Sequence, residues 1–286
     1  MAIDIAAAAI RALSLVAMLQ AAGMALFIAL FQRRLSLSAS SIRRSGRCSA
    51  LIALLLIVAH HGLIAARMTG ELADVWDGSL QWQLLRSSAG IATVAGGLGL
   101  LLIAVNVDRR DAIARVLRIA GPGIVTGSFL LTGHTSTHTP RWALAGLLWT
   151  HLSIAAFWLG ALPGLLCAAR REPLAAAAGL IAAFTAVATG LVPLIALAGI
   201  GMALLLLPNA AALRQPYGEL LLVKLGLFAA LMGLAALNKW RLGPRLASGG
   251  AAALAPFRRS VIGEYLLITG VLAVTANLTT FFSPEP

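Results

Sequence analysis

Five histidines are the side chains of this 286-residue chain best suited to chemistry, because imidazole binds metal ions and haem iron. They are His60, His61, His134, His138 and His151. The spacing of four between His134 and His138 would place both imidazoles on one face of a helix. Two imidazoles are too few for a closed site, which needs three or four ligands. The histidines therefore predict metal-binding positions that are spread along the chain.

Sulfur side chains indicate which metal would accompany these imidazoles. Thioether and thiolate ligands select Cu(I), whereas imidazole also suits zinc, iron and nickel. Met68 and Cys167 are the two sulfur side chains that we expect to act as ligands beside the histidines. The other internal methionines are expected mainly to pack between helices: Met18, Met24, Met202 and Met232. This set of ligands favours copper.

Long apolar blocks must position these residues. Hydrophobic residues make up 60% of the chain and charged residues 11%, against about 45–50% and 25% in soluble domains. The blocks are about 20 residues long, which is the length of a helix that crosses a bilayer core of roughly 30 Å. This composition excludes a soluble enzyme, a disordered chain and a disulfide-linked secreted domain. No P-loop, HExxH or GxSxG motif is present, so we expect a membrane protein that is not an enzyme.

Hydropathy predicts an all-α, polytopic membrane helix bundle with eight transmembrane helices, forming a single integral-membrane domain over residues 1–286. One uncharged stretch, 174–207, is interpreted as a single long helix bent near Pro193, because splitting it would reverse the orientation of all later spans. The predicted spans are approximately 10–31, 50–67, 87–107, 117–133, 142–168, 174–204, 219–239 and 260–282.

Basic residues reveal the orientation of these spans. Alternate connections, at 32–49, 108–118, 169–173 and 239–259, hold 16 of the 22 lysines and arginines. The positive-inside rule places this set in the cytoplasm and both termini in the periplasm of an inner-membrane protein. The formal charge of +12 is therefore a topology signal, and no nucleic-acid partner is expected. Membrane lipid is the expected surrounding, and the oligomeric state stays open.

Residues 68–86, on the predicted outer side, differ in character from the other loops. They hold three acidic residues together with Trp76 and Trp82. Tryptophan is enriched at the headgroup level of membranes, so we expect a short amphipathic piece that lies there. Its acidic residues either attract cations or simply mark an outer loop.

Three histidines are predicted to lie near the middle of the membrane. His60 and His61 are about ten residues into the second span, and His151 is nine residues into the fifth, which runs the other way. Since adjacent helical residues diverge by about 100°, one of His60 and His61 is expected to face His151. Such a pair is either one step in a ladder of copper sites or the axial ligands of haem b in a membrane redox or haem-pathway protein. A third interpretation is a non-catalytic scaffold whose histidines only pack.

Two charged residues fall inside predicted spans. Lys224 lies near the outer end of the seventh span and Glu264 near the inner end of the eighth, which is too far for a direct pair. We expect Lys224 to snorkel outward or approach Glu219, and Glu264 to reach Arg259 or the inner loops. Structural anchoring is favoured over gating or charge coupling for both.

Three stretches in the second half resemble the CopD family of inner-membrane copper proteins. They are GHTSTHTPRWALAGLLWTHLSIAAFWLGALPGLL at 133–166, QPYGELLLVKLGLFAALMGLAALNKWR at 215–241 and FRRSVIGEYLLITGVLAVTANLTTFFSPEP at 257–286. Each stretch is loose by itself, but the three occur in the family's order. Residues 1–116 resemble the family mainly in hydropathy.

The resemblance implies an eight-helix transporter that moves periplasmic copper inward, often beside a small periplasmic copper-binding protein. It points to five residues of this chain: His134, His151, Lys224, Asn238 and Glu264. The chain departs from the family at Leu148, where an acidic residue often precedes the histidine by three positions. A carboxylate that orients His151 is therefore not expected.

Overall fold

The computed structural model of the chain describes residues 2–107, 109, 111–132, 140–206 and 214–281. In this part of the chain the secondary structure is helical and contains no strand. The α-helices are α1 (Ala2–Phe31), α2 (Ala39–Thr69), α3 (Gly78–Leu85), α4 (Ser88–Asn106), α5 (Ala112–Ser128), α6 (Arg141–Arg171), α7 (Leu174–Leu206), α8 (Pro216–Leu237), α9 (Gly243–Ala247) and α10 (Leu254–Phe281).

Eight of these helices are long and apolar enough to cross a membrane, which confirms the predicted polytopic helix bundle. They are α1, α2, α4, α5, α6, α7, α8 and α10. The uncharged stretch after residue 173 forms one continuous helix, α7, with Pro193 in its interior. The interpretation as a single span is therefore confirmed.

Several helices extend beyond the predicted spans. The helix α2 begins at Ala39, although its span was predicted to begin at about residue 50. Its first turns hold Arg43, Arg44 and Arg47, so hydropathy detects only the later, apolar part of the helix. The helix α1 likewise begins at Ala2 rather than near residue 10.

The helix α1 is central and packs against α2, α5, α6 and α10. Its backbone comes very close to that of α6 at Gly23 and Gly160. A Cβ atom on Gly23 would lie 1.7 Å from the carbonyl oxygen of Ala156, so no larger residue fits. Small residues that allow close backbone approach are typical of helix contacts in membranes.

The second half of the bundle is more open. The helix α7 packs on α6 and α9, whereas α8 packs on α10. In the described part of the chain, α7 and α8 are not a closely packed pair, and α8 is the least buried of the eight long helices. A cleft therefore lies between α7 and α8.

Contacts between loops show which connections share an end of the bundle. At one end, Arg118 donates to Gln32 Oε1 at 2.8 Å, and Glu172 accepts hydrogen bonds from Ser36 and Ser38. We call this the basic end; it joins the connections that were predicted to be cytoplasmic. At the opposite end, Arg67 pairs with Asp4 at 3.3 Å.

The predicted short piece at residues 68–86 is present as a 3₁₀ turn, Leu72–Trp76, followed by α3. Asp77 caps α3 by accepting hydrogen bonds from the amides of Ser79 and Leu80 at 2.8 and 3.1 Å. Hydrogen bonds from Ser79 and the Leu80 amide lower the pKa of the Asp77 carboxyl. Trp76 is exposed, as expected of an anchor at the membrane surface.

Candidate functional site

Glu264 on α10 is the centre of a buried polar cluster. Its side chain is only 3% exposed. The indole N–H of Trp158 donates to Oε2 of Glu264 at 3.0 Å, and Nδ2 of Asn238 donates to Oε1 at 2.5 Å. The cluster joins three elements: α6, α10 and the turn that follows α8.

That turn is a π-helix over Asn238–Leu242, inserted between α8 and α9. The N–H of Gly243 donates to the carbonyl of Asn238, five residues earlier. Pro244 follows, and a proline has no N–H with which to continue α-helical bonding. The π-turn begins at Asn238, so this residue lies at the boundary between α-helical and π-helical backbone. Such π-bulges occur frequently at functional sites.

A cavity of about 370 Å³ lies against this cluster. Side chains of α6, α7, α8 and α10 line it, and most of them are apolar. Thr185 and Thr189 of α7 add hydroxyl groups, and Lys239 and Trp240 lie at the basic end of the cavity. The cavity therefore runs from the level of Glu264 toward the basic end of the bundle.

Met232 belongs to the same wall of this cavity. The antiparallel register of α8 and α10 is set by Leu234 packing on Gly263 and Leu227 packing on Gly270. In that register Met232 comes level with the turn of α10 that holds Glu264. A carboxylate and a thioether thus line one cavity at the same depth.

The charge of the cluster is not balanced by a neighbouring cation. Within the described residues, no basic side chain lies within ion-pair distance of Glu264, and both of its donors are neutral. The amide oxygen Oδ1 of Asn238 is buried and has no hydrogen-bond partner. The cluster therefore presents oxygen atoms that are suited to accept a cation.

The structure brings together two of the residues that the sequence singled out, Asn238 and Glu264. The expectation that Glu264 reaches Arg259 or the inner loops is wrong, because its partners are Trp158 and Asn238. Lys224 is half-buried and lies within electrostatic range of His151 instead of joining this cluster. It forms no ion pair with Glu219 in the described chain.

His151 is oriented by the backbone of α7. Its Nδ1 lies 3.2 Å from the carbonyl oxygen of Ile195, and its ring packs over Gly199. A backbone carbonyl commonly fixes the tautomer and orientation of a metal-binding histidine. This contact engages Nδ1 of His151 and does not involve Nε2.

The structure does not bring His60 and His61 to His151. His61 is 7% exposed, and neither of its ring nitrogens has a hydrogen-bond partner. His60 interacts electrostatically with Arg11 and Arg67 near the end opposite the basic end. The His151 ring instead lies against α7, where it contacts Ile195 and Gly199.

The remaining predicted ligands are scattered. Met68 is 67% exposed at the end of α2, and Cys167 is half-buried near the basic end of α6. His134 and His138 lie outside the described residues. In the part of the chain that the structure describes, no three or more His, Cys, Asp or Glu side chains form a group that could hold a metal ion.

Sequence reasoning missed Trp158 and Glu172. Trp158 lies in the tryptophan–leucine–glycine run of the family motif, so it was available as a candidate. Glu172 is the single acidic residue of the connection at 169–173. Its position among basic residues was the only signal of its role.

Glu172 holds two connections together at the basic end. Its Oε1 accepts hydrogen bonds from the amides of Ser36 and Ser38, both at 2.9 Å, and the two hydroxyls also donate to its carboxylate. Burial opposes ionisation of this carboxyl, but the four hydrogen bonds prevail and lower its pKa to about 2. Arg171 adds a hydrogen bond to Ser41 beside it.

Fold and site together define a multi-pass helical membrane protein with a carboxylate-centred polar cluster beside an intramembrane cavity. Residues 178–278 match the family described as Copper resistance protein D, and residues 1–140 match the family described as Copper resistance protein D-like, N-terminal domain. The chain belongs to the copper resistance protein D family, as its motifs indicated. It is thus a multi-pass inner-membrane protein related to copper resistance and transport. No curated protein and no solved structure shows a significant match.

Proposed function

We propose that this protein transports copper ions across the inner membrane from the periplasm to the cytoplasm, and that copper passes the Glu264 cluster before it leaves at the basic end. The observation that carries the proposal is the buried Glu264 carboxylate on the wall of a cavity that runs toward the basic end. Membership of the copper resistance protein D family is the reason for proposing copper as the transported metal. The family resemblance suggests the inward direction, and the positive-inside rule places the basic end in the cytoplasm.

The chemistry of the cavity suits a copper ion in transit. Met232 offers a thioether, which favours Cu(I), and Glu264 and Asn238 offer oxygen atoms. A conducting site must bind weakly enough to release its ion, so a small, mixed set of donors is appropriate. The transport role requires no catalytic residue.

Histidines supply the earlier steps of this proposed path. His61 is buried with two free ring nitrogens, and His151 keeps Nε2 free. His60 is adjacent to His61 on α2, and Met68 lies nearer the periplasmic end of the same helix, with His134 and His138 as outer candidates. Cys167 is the candidate nearest the cytoplasm. A small periplasmic copper-binding protein is the proposed donor at the outer end.

The test is the substitution Glu264→Gln, which keeps the size of the side chain and removes its charge. We expect copper accumulation by cells that express this variant to fall to the level of cells without the protein. The measurement is cellular copper by mass spectrometry, normalised to the amount of protein in the membrane. Glu219→Gln is the matched control, because Glu219 is an exposed carboxylate on α8. Normal accumulation by Glu264→Gln would overturn the role of this cluster.

A further inference from the structure

We infer that the basic end of the bundle binds a phosphate group through Arg118, at the place where α5 meets α2 and the turn that follows α1. The phosphate belongs either to an anionic phospholipid of the cytoplasmic leaflet or to a free phosphate ion. None of the proposed copper ligands takes part in this site, so the inference goes beyond the proposed function and does not depend on it.

Arg118 is a buried cation whose charge is not balanced within the described chain. Its side chain is only 3% exposed. Its Nη1 donates to the amide oxygen of Gln32 at 2.8 Å, whereas Nε is buried and has no hydrogen-bond partner. Among the described residues, no carboxylate lies within ion-pair distance of the guanidinium. Because an uncompensated buried charge is strongly destabilising, an anion is the group that Arg118 is suited to bind.

The guanidinium is oriented to donate to two oxygen atoms of one anion. In arginine, the N–H of Nε and one N–H of Nη2 lie side by side along one edge of the planar group. The hydrogen bond to Gln32 engages Nη1, so this edge is left to another acceptor. Two oxygens of a phosphate match the spacing of these donors. An oxyanion therefore fits this edge better than a monatomic anion does.

Other basic residues surround Arg118. Arg115, one turn earlier on α5, and Arg43 on α2 lie within electrostatic range of it. The carboxylate of Asp111 is also in range, but it pairs with Arg109 at 3.0 Å and caps the start of α5. Three arginines from two helices thus attract an anion together. A phosphate has more acceptor oxygens than a carboxylate, so it satisfies several such donors at once.

The position of the site in the bundle matches that of lipid headgroups. Arg118 is near the start of the predicted span 117–133, at the end assigned to the cytoplasm. Arg115 is exposed, and Ile119, four residues later on the same face of α5, is 61% exposed. A phospholipid with its phosphate at the arginines would lay an acyl chain along Ile119. Basic pockets between helices at the cytoplasmic side are known to bind anionic headgroups.

The experiment uses the full-length purified protein, without copper, in a maltoside detergent and a buffer free of phosphate. Isothermal titration calorimetry measures the dissociation constants of three probes: inorganic phosphate, dioctanoyl phosphatidylglycerol and dioctanoyl phosphatidylcholine. The two lipids have the same acyl chains, but choline balances the phosphate charge in the second. We expect phosphatidylglycerol to bind about tenfold more tightly than phosphatidylcholine, because only its phosphate charge is uncompensated.

Variants of the arginines test the site itself. Arg118→Gln removes the guanidinium, and we expect it to weaken the binding of phosphatidylglycerol about tenfold or more. Arg118→Lys keeps the charge without the paired donors, so its affinity should lie between those of Arg118→Gln and the wild type. Arg115→Gln changes an exposed position and should weaken binding by a smaller factor. Arg245→Gln, which removes an exposed charge from α9 at the same end, is the matched control and should bind like the wild type.

The results separate the sources of the phosphate and decide whether the site exists. Inorganic phosphate that binds as tightly as phosphatidylglycerol identifies the free ion, and much weaker binding of inorganic phosphate identifies the lipid. The inference is overturned if neither binds, or if folded Arg118→Gln binds as the wild type does. An equal loss in Arg245→Gln would trace the effect to net charge and overturn it as well. If size-exclusion profiles show that Arg118→Gln is misfolded, Arg118→Lys and Arg115→Gln decide; unchanged affinity in both overturns the site. Copper accumulation is tested separately at Glu264.

Discussion

Trp158 and Asn238 determine what the Glu264 carboxyl can do. A hydrogen bond to a charged group contributes about 1.5–3 kcal/mol, whereas leaving a charge uncompensated in a buried site costs several kcal/mol. Two neutral donors thus orient the carboxylate without neutralising it. A salt bridge to a basic side chain would have neutralised the Glu264 carboxylate permanently. Its absence within the described chain leaves Glu264 able to receive a cation.

His151 is the second residue whose surroundings suit a ligand. We expect His151→Ala to abolish copper accumulation while the protein remains folded, because the substitution removes the free Nε2 and only one hydrogen bond, to Ile195. Copper per unit of membrane-inserted protein is the quantity to measure. Thr150→Ala, on the exposed side of the same turn, is the matched control. Unchanged accumulation in His151→Ala would exclude its role at mid-depth.

The contacts of individual residues were not predictable from the sequence. The order of the motifs led to Asn238 and Glu264, and the structure places their side chains in hydrogen-bond contact. The partners of Glu264 could not be derived, because they depend on how each helix is rotated about its axis. Equal depth likewise suggested that His151 faces His60 or His61, but rotation of α6 directs its ring to α7. Counting residues along a helix gives the depth of a side chain in the membrane but not the rotation of the helix about its axis.

Among the secondary-structure elements, the π-turn after α8 is the one that positions Asn238 beside Glu264. A regular α-helix through residues 238–242 would rotate Asn238 relative to α10, since a π-turn adds one residue to the repeat. Hydropathy predicted the span at 219–239 but carries no information on such a change. Gly243 and Pro244, which directly follow this turn, are the sequence feature that accounts for the π-helix.

Four hydrogen bonds from Ser36 and Ser38 link Glu172 to the α1–α2 connection at the basic end. Because the folded pKa of about 2 is below the ordinary value of 4.5, this contact stabilises the fold above about pH 4.5. The stabilisation is lost as the pH falls toward 2. We expect Glu172→Gln to lower the free energy of unfolding near neutral pH by about 1 kcal/mol, the value typical of a partly exposed hydrogen-bonded group.

Thermal unfolding in detergent, followed by tryptophan fluorescence across this pH range, measures that effect. The difference between wild type and Glu172→Gln should shrink as the medium is acidified and vanish once the wild-type carboxyl is protonated. Glu71→Gln, at an exposed site on the opposite end, is the control and should unfold like the wild type. A difference that stays constant with pH would show that the ionised carboxylate is not the source of the stability.

At the scale of the whole molecule, the bundle has a tightly packed side around α1 and an open side between α7 and α8. Gly23 and Gly160 bring α1 and α6 together almost backbone to backbone, so that side is tightly packed. On the other side, the cavity next to Glu264 is bordered by two helices that hardly touch. The proposed copper path therefore lies on the open side of the bundle.

The proposed exit of copper at the basic end requires that this end of the bundle face the cytoplasm. The structure joins the basic connections at one end, and the positive-inside rule assigns that end to the cytoplasm. Single cysteines at exposed positions test the assignment: Ser248→Cys at the basic end and Ala73→Cys at the other, each with Cys48 and Cys167 replaced by serine.

We expect a membrane-impermeant maleimide to label Ala73→Cys in intact spheroplasts and Ser248→Cys only in inverted vesicles, because the reagent reaches one face of the membrane in each preparation. Labelling in detergent confirms that both cysteines are reactive. The reverse pattern would place the basic end of the bundle in the periplasm. Exit of copper into the cytoplasm at that end, as proposed, would then be excluded.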